Sequence, residues 1–112
     1  MIAVLGLAAC GGGGGGSKAT KRAVNGAITI DAHDVSFDIQ TIEAKPGPLT
    51  VTMKNEGAIE HTFKILGTDL ELKAKGGGQQ TGTVDLKAGT YDFECTVPGH
   101  AAQGMKGKVV VS

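Results

Sequence analysis

The sequence has no tryptophan, one tyrosine and three phenylalanines. A core must therefore be built from Val, Ile, Leu and Ala, with Phe37, Phe63, Phe93 and Tyr91 as the only large rings. Charge of one sign is also missing: eleven Lys and Arg balance eleven Asp and Glu, spread along the chain. No basic run and no interleaving of basic with aromatic residues offers a footprint for nucleic acid. No apolar stretch approaches the roughly 20 residues that a membrane-crossing helix needs. Only two cysteines occur, Cys10 and Cys95. A disulfide between them would tie the body of the chain to its leader and gain little, so each calls for its own explanation.

The chain has 112 residues, enough for one domain. Its first ten residues, 1–10, form an apolar leader ending in Leu7-Ala8-Ala9-Cys10, and six glycines, Gly11 to Gly16, follow. Small residues ahead of a cysteine resemble a lipobox, the signal at which bacterial lipoproteins are cleaved and acylated. The leader is short for a signal peptide and carries no basic residue. Residues 11–23 then read as a flexible linker, since six glycines have no side chains to pack. From Cys10 to Val24 such a tether spans on the order of 20 Å. The expected location is extracytoplasmic, in the periplasm or on the outer face of the cytoplasmic membrane, with a lipid anchor on Cys10.

Residues 24–112 form the foldable segment, about 90 residues, adequate for a single core. Their apolar residues repeat every second position. Ile28 and Ile30 alternate with Thr29 and Asp31; Phe37, Ile39 and Thr41 with Ser36, Asp38 and Gln40; Leu49, Val51 and Met53 with Thr50, Thr52 and Lys54. Phe63 and Ile65, Val84 and Leu86, Tyr91 and Phe93, and Val109 and Val111 continue the pattern. Turn chemistry bounds the runs at Lys45-Pro46-Gly47-Pro48, Asn55-Glu56-Gly57, Gly76-Gly77-Gly78 and Ala88-Gly89. Such half-buried strands predict an all-β, antiparallel Greek-key sandwich of about seven or eight strands. Leu66 to Ala74 is the ambiguous stretch and could hold a turn of helix. The same alternation sets Cys95 on the inward face shared by Tyr91 and Phe93. It sets His61 on the face shared by Phe63 and Ile65. Met53 reads as core, and His33 as a surface turn residue.

From Cys95 to Met105 the spacing is Cys-x4-His-x4-Met, with His100 between. Pro98-Gly99 supplies a tight turn that can return His100 to Cys95, and Gly104 lets the backbone bend before Met105. His61, at the end of another strand, is the fourth candidate. One thiolate, two imidazoles and a weak axial thioether make the trigonal copper site of electron-transfer proteins. The metal ligands expected are thus His61, Cys95, His100 and Met105, holding a single copper ion.

Val97-Pro98-Gly99-His100-x4-Met105-Lys106-Gly107 after Cys95, with Asn55-x5-His61 about 35 residues upstream, closely resembles the cupredoxin family. The loop length is similar to that of azurin and auracyanin more than plastocyanin, and the resemblance runs from about Ala27 to Ser112. It implies a Greek-key β-sandwich that carries single electrons between larger redox partners, and the family's ligand positions fall on the same four residues. The chain departs from the family's pattern twice. Thr62 stands where the family often has an Asn that braces the cysteine loop, and Glu60 stands where azurin-like sites place a glycine carbonyl opposite the Met.

Other chemistries fit less well. A Cys95–His100 hydrolase would need an orienting third group and an oxyanion pocket, and would leave Met105 without a role. Zinc has no use for a thioether. A multicopper oxidase needs paired His-x-His motifs, and a dinuclear copper domain needs two cysteines in the loop; neither occurs. The expectation is therefore a monomeric electron carrier, not an enzyme, serving haem or copper proteins of a respiratory or photosynthetic chain. The alternative is an extracytoplasmic copper-binding or copper-delivery protein. Pro98, Ala101 and Ala102 around His100, with Ala58 and Ile59 near His61, predict a flat apolar docking patch.

Overall fold

The computed structural model describes residues 19–112, and in them the two-residue period becomes ten strands. In chain order these are β1 (Thr20–Arg22), β2 (Ala27–His33), β3 (Ser36–Phe37), β4 (Thr41–Ala44), β5 (Gly47–Asn55), β6 (His61–Ile65), β7 (Glu71–Ala74), β8 (Gln79–Leu86), β9 (Gly89–Glu94) and β10 (Lys106–Val111). They make a six-stranded sheet ordered β1-β4-β10-β9-β6-β7 and a four-stranded sheet ordered β3-β2-β5-β8. The leader, the glycine run and Cys10 lie outside the described residues.

Both sheets turn their apolar faces to one core. Ile28, Ile30 and Ala32 of β2 and Leu49, Val51 and Met53 of β5 come from one sheet; Phe63, Ile65, Phe93, Val109 and Val111 come from the other. Phe37 packs edge-on against both Phe63, at 5.8 Å between ring centres, and Phe93, at 5.6 Å. Such aromatic pairs contribute about 0.5–1.5 kcal/mol each beyond the area they bury. The three phenylalanines are thus packed together in the core, while Tyr91 stays half-buried and donates its hydroxyl to the Lys87 carbonyl.

The structure departs from the sequence reading in several places. Two strands more than the upper expectation are present, and the short, polar β1 and the two-residue β3 account for them. Thr20–Arg22 fall in the segment read as linker, yet they pair in parallel with β4, and Arg22 donates to Glu43 at 2.8 Å. All three β1 residues are exposed, so the strand carries no apolar alternation for a period to reveal. The sandwich is mixed rather than purely antiparallel, because β1·β4, β10·β4 and β2·β5 run parallel. On β4 the buried residues are Ile42 and Ala44, not Thr41, because bends at Asp38 and Gln40 break the period. Leu66–Ala74 holds no helix. Leu66 and Gly67 form a turn tied by the Thr68 hydroxyl, which donates to the Ile65 carbonyl at 2.7 Å, and β7 follows. His33 ends β2 exposed, as a surface residue.

Candidate metal centre

One end of the sandwich collects the candidate ligands, because antiparallel neighbours begin and finish there. His61 is the first residue of β6, Cys95 follows the last residue of β9, and Met105 precedes β10. Register keeps them together: Lys64 pairs with Glu94 between β6 and β9, and Lys106 pairs with Glu94 between β10 and β9. Beyond the ladder, the Cys95 N–H donates to the Met105 carbonyl at 2.9 Å.

The loop between Cys95 and Met105 folds back on itself as its glycines demand. His100 N–H closes a turn onto the Val97 carbonyl at 3.0 Å, with Gly99 at φ 85°, a left-handed conformation that side chains disfavour. A 3-10 helix, Ala101–Gln103, follows and ends on Gly104 at φ 114°. Met105 N–H then reaches back to the His100 carbonyl at 3.1 Å. Main chain alone thereby fixes His100 and Met105 against Cys95.

His61, Cys95 and His100 bring one ligand atom each to within 4.8 Å of one another. The Cys95 sulfur lies 3.5 Å from His100 Nδ1, and the two imidazole rings are 5.1 Å apart at 49°. His61, Cys95 and Met105 are closed to solvent, and only His100, at 8% exposure, touches the surface. The sulfur also accepts a hydrogen bond from the Thr62 N–H at 3.4 Å. Glu60 is exposed, with its carboxylate 4.0 Å from the Lys73 ammonium.

Protonation at His61 tests whether these residues fit a metal. Its Nε2 lies 2.8 Å from Asp34 Oδ1, and a carboxylate can only accept, so the ring proton belongs on Nε2. The other nitrogen, Nδ1, is buried and has no hydrogen-bond partner in the described protein. An unpaired buried polar atom costs free energy unless something fills its lone pair. Beside a buried thiol and a second imidazole, that lone pair fits a soft-to-borderline metal ion.

Two residues behind this arrangement were not singled out as site residues from sequence. Asp34 accepts from Ala58 N–H at 2.8 Å and Ile59 N–H at 3.3 Å as well as from His61. The Ala58 amide first, and then the His61 bond, hold its carboxyl below the ordinary carboxylate value. Gly57 makes room for it, since a Cβ there would collide with the Asp34 carboxylate. Asn55, buried, donates to the Ile59 carbonyl at 2.8 Å and the Ala74 carbonyl at 2.9 Å, while its own oxygen accepts from Gly57 N–H. The segment leading into His61 is thus pinned from both sides. Asn55 was legible as part of the Asn-x5-His spacing; Asp34 had no signal beyond sitting beside His33.

Comparison with known proteins agrees with this geometry. Residues 3–111 match the cupredoxin-like domain family. The copper-resistant cuproprotein CopI of Rubrivivax gelatinosus is 35% identical over 98 residues, covering 67% of this chain and 59% of its own. Rusticyanin of Acidithiobacillus ferrooxidans is 40% identical over 78 residues, covering 68% of this chain and 44% of its own. The chain therefore spans about half the length of these relatives. In fold it is similar to the dithionite-reduced auracyanin of Roseiflexus castenholzii, with a TM-score of 0.71 at 24% identity over 80% of this chain and 98% of that one.

Proposed function

The chain belongs to the cupredoxin-like domain family, and from that membership we propose that it is a blue-copper electron carrier whose ion is held by His61, Cys95, His100 and Met105. Copper is the cofactor these residues fit. Bound there, it supplies one-electron chemistry between Cu(I) and Cu(II).

The observation that carries the reading is the buried His61–Cys95–His100 cluster with its orphaned His61 nitrogen. The protein's part is to hold the ligands still. Asp34 and Asn55 fix the approach to His61, and the turn at Gly99 with the Met105 carbonyl fixes Cys95 and His100. A frame that does not rearrange as the ion changes charge keeps the barrier to transfer small. His100 is the one ligand that reaches the surface, so its edge is the electron's exit. Exposed Pro98, Ala102 and Ala58 and the half-exposed Ile59 surround that end and supply an apolar rim for brief docking with a haem or copper protein. We place the protein outside the cytoplasm, anchored through an acylated Cys10, and acting as a monomer.

A second reading, copper handling, is favoured by the 35% identity to a copper-resistant cuproprotein. Redox cycling of the copper-loaded full chain in the presence of a Cu(I) chelator separates the two. A carrier keeps its copper and its blue colour through repeated reduction and reoxidation. Loss of the ion to the chelator at the first reduction would identify a delivery protein.

A further inference from the structure

A chain of hydroxyls leads from the Cys95 sulfur to the surface, and counting its hydrogens gives it a direction. Thr62, buried beside His61, has its Oγ1 3.7 Å from the Cys95 sulfur and 2.7 Å from Thr96 Oγ1. That oxygen already accepts from the Thr96 N–H at 2.6 Å. Thr96, exposed, donates its own hydroxyl hydrogen to Glu71 Oε2, on β7, at 2.9 Å.

A hydroxyl has one hydrogen, and an ionised carboxylate only accepts. With Thr96 committed to Glu71, the short bond between the two threonines must be donated by Thr62. Its hydrogen is then spent on Thr96 Oγ1 rather than on the sulfur, where the distance is in any case at the long limit. The Thr62 N–H is left as the main-chain donor to the sulfur.

We propose that Glu71, acting through Thr96, holds the Thr62 hydroxyl hydrogen away from the Cys95 sulfur and so keeps the reduction potential of the bound copper low. The proposal rests on the blue-copper reading above. Hydrogen bonding at a ligating sulfur withdraws electron density from it, which favours the reduced ion, so potential follows the number of donors the sulfur receives. Thr96 and Glu71 are positioning residues here; neither touches the metal. Thr96 follows Cys95 within the ligand loop, whereas Glu71 lies outside it on β7, 25 residues from Thr96.

Thr96→Val removes the acceptor without altering charge and frees the Thr62 hydrogen to turn to the sulfur. Cyclic voltammetry of the copper-loaded full chain should show an upward shift in potential. The sulfur-to-copper absorption band should move to higher energy with it. Thr96→Ser, which keeps the hydroxyl, should retain both native values. Adding Thr62→Val to Thr96→Val removes the freed donor and should return potential and band to those of Thr62→Val alone. Glu71→Ala, which leaves the copper loop intact, should shift both quantities in the same direction as Thr96→Val. At high salt, where the field of an exposed carboxylate is screened, that shift should persist. Neutron diffraction of the metal-free protein should place the Thr62 hydrogen on the line to Thr96 Oγ1. A hydrogen aimed at sulfur, or unshifted potentials in Thr96→Val and Glu71→Ala, would overturn the proposal while leaving the copper assignment untouched. A native chain that forms no blue complex would instead overturn the reading beneath it.

Discussion

Asp34 shows how much of a candidate metal site is decided by a residue outside the expected ligand set. With one carboxylate it orders two amides and the outer nitrogen of His61, leaving the inner nitrogen as a bare lone pair. Its folded-state pKa is lowered, so the folded chain binds that proton less readily than the unfolded chain. The stability it contributes is fully present above the unfolded value of about 3.9 and is lost as pH falls through the lowered folded value. In the metal-free protein, Asp34→Asn should therefore reduce the urea midpoint at neutral pH and flatten its decline on acidification. An acid decline as steep in the variant as in the native chain would assign the effect to other carboxylates. His61, Cys95 and His100 could be picked out from sequence because the loop spacing is local and His61 shares an alternating face with Phe63 and Ile65. Asp34 could not, because it lies 27 residues from His61 and meets it only through the fold.

At the scale of the element, β2 and β5 are where sequence and structure correspond most closely. Ile28, Ile30 and Ala32 alternate buried with more exposed neighbours, and Ile30 pairs in register with Met53, both closed to solvent. Ile30→Ala should cost roughly 2–5 kcal/mol, the range for emptying a well-packed aliphatic site. Chemical denaturation measures that loss. The blue colour of the folded, copper-loaded variant should be unchanged, since Ile30 makes none of the hydrogen bonds that hold the candidate ligands. Period-two reading fails where its physical basis fails. β1 buries nothing and is held by main-chain pairing and the Arg22–Glu43 contact, so hydrophobicity cannot mark it. β4 follows two bends that reset the face, which exchanges Thr41 for Ile42 in the core. Turn residues announce hairpins but not crossovers, so the parallel pairs of β4 and β2 were not visible either.

Across the whole molecule, the proposed function puts chemistry and recognition at one end of the sandwich. The chain carries no formal net charge, which gives little long-range steering, so the proposed docking relies on the apolar rim around His100. Ala102→Glu places a charge on that exposed rim and should slow electron transfer to a physiological partner several-fold, with the copper spectrum intact; stopped-flow kinetics would measure it. Unchanged kinetics would remove this end as the docking surface. The central claim, that His61, Cys95, His100 and Met105 hold a blue copper ion, has a more direct test. Titration of the metal-free full chain with Cu(II), followed by visible absorption, should give an intense blue colour that saturates at one equivalent and is absent in Cys95→Ser. A colourless native complex, or a blue one that survives Cys95→Ser, would contradict it.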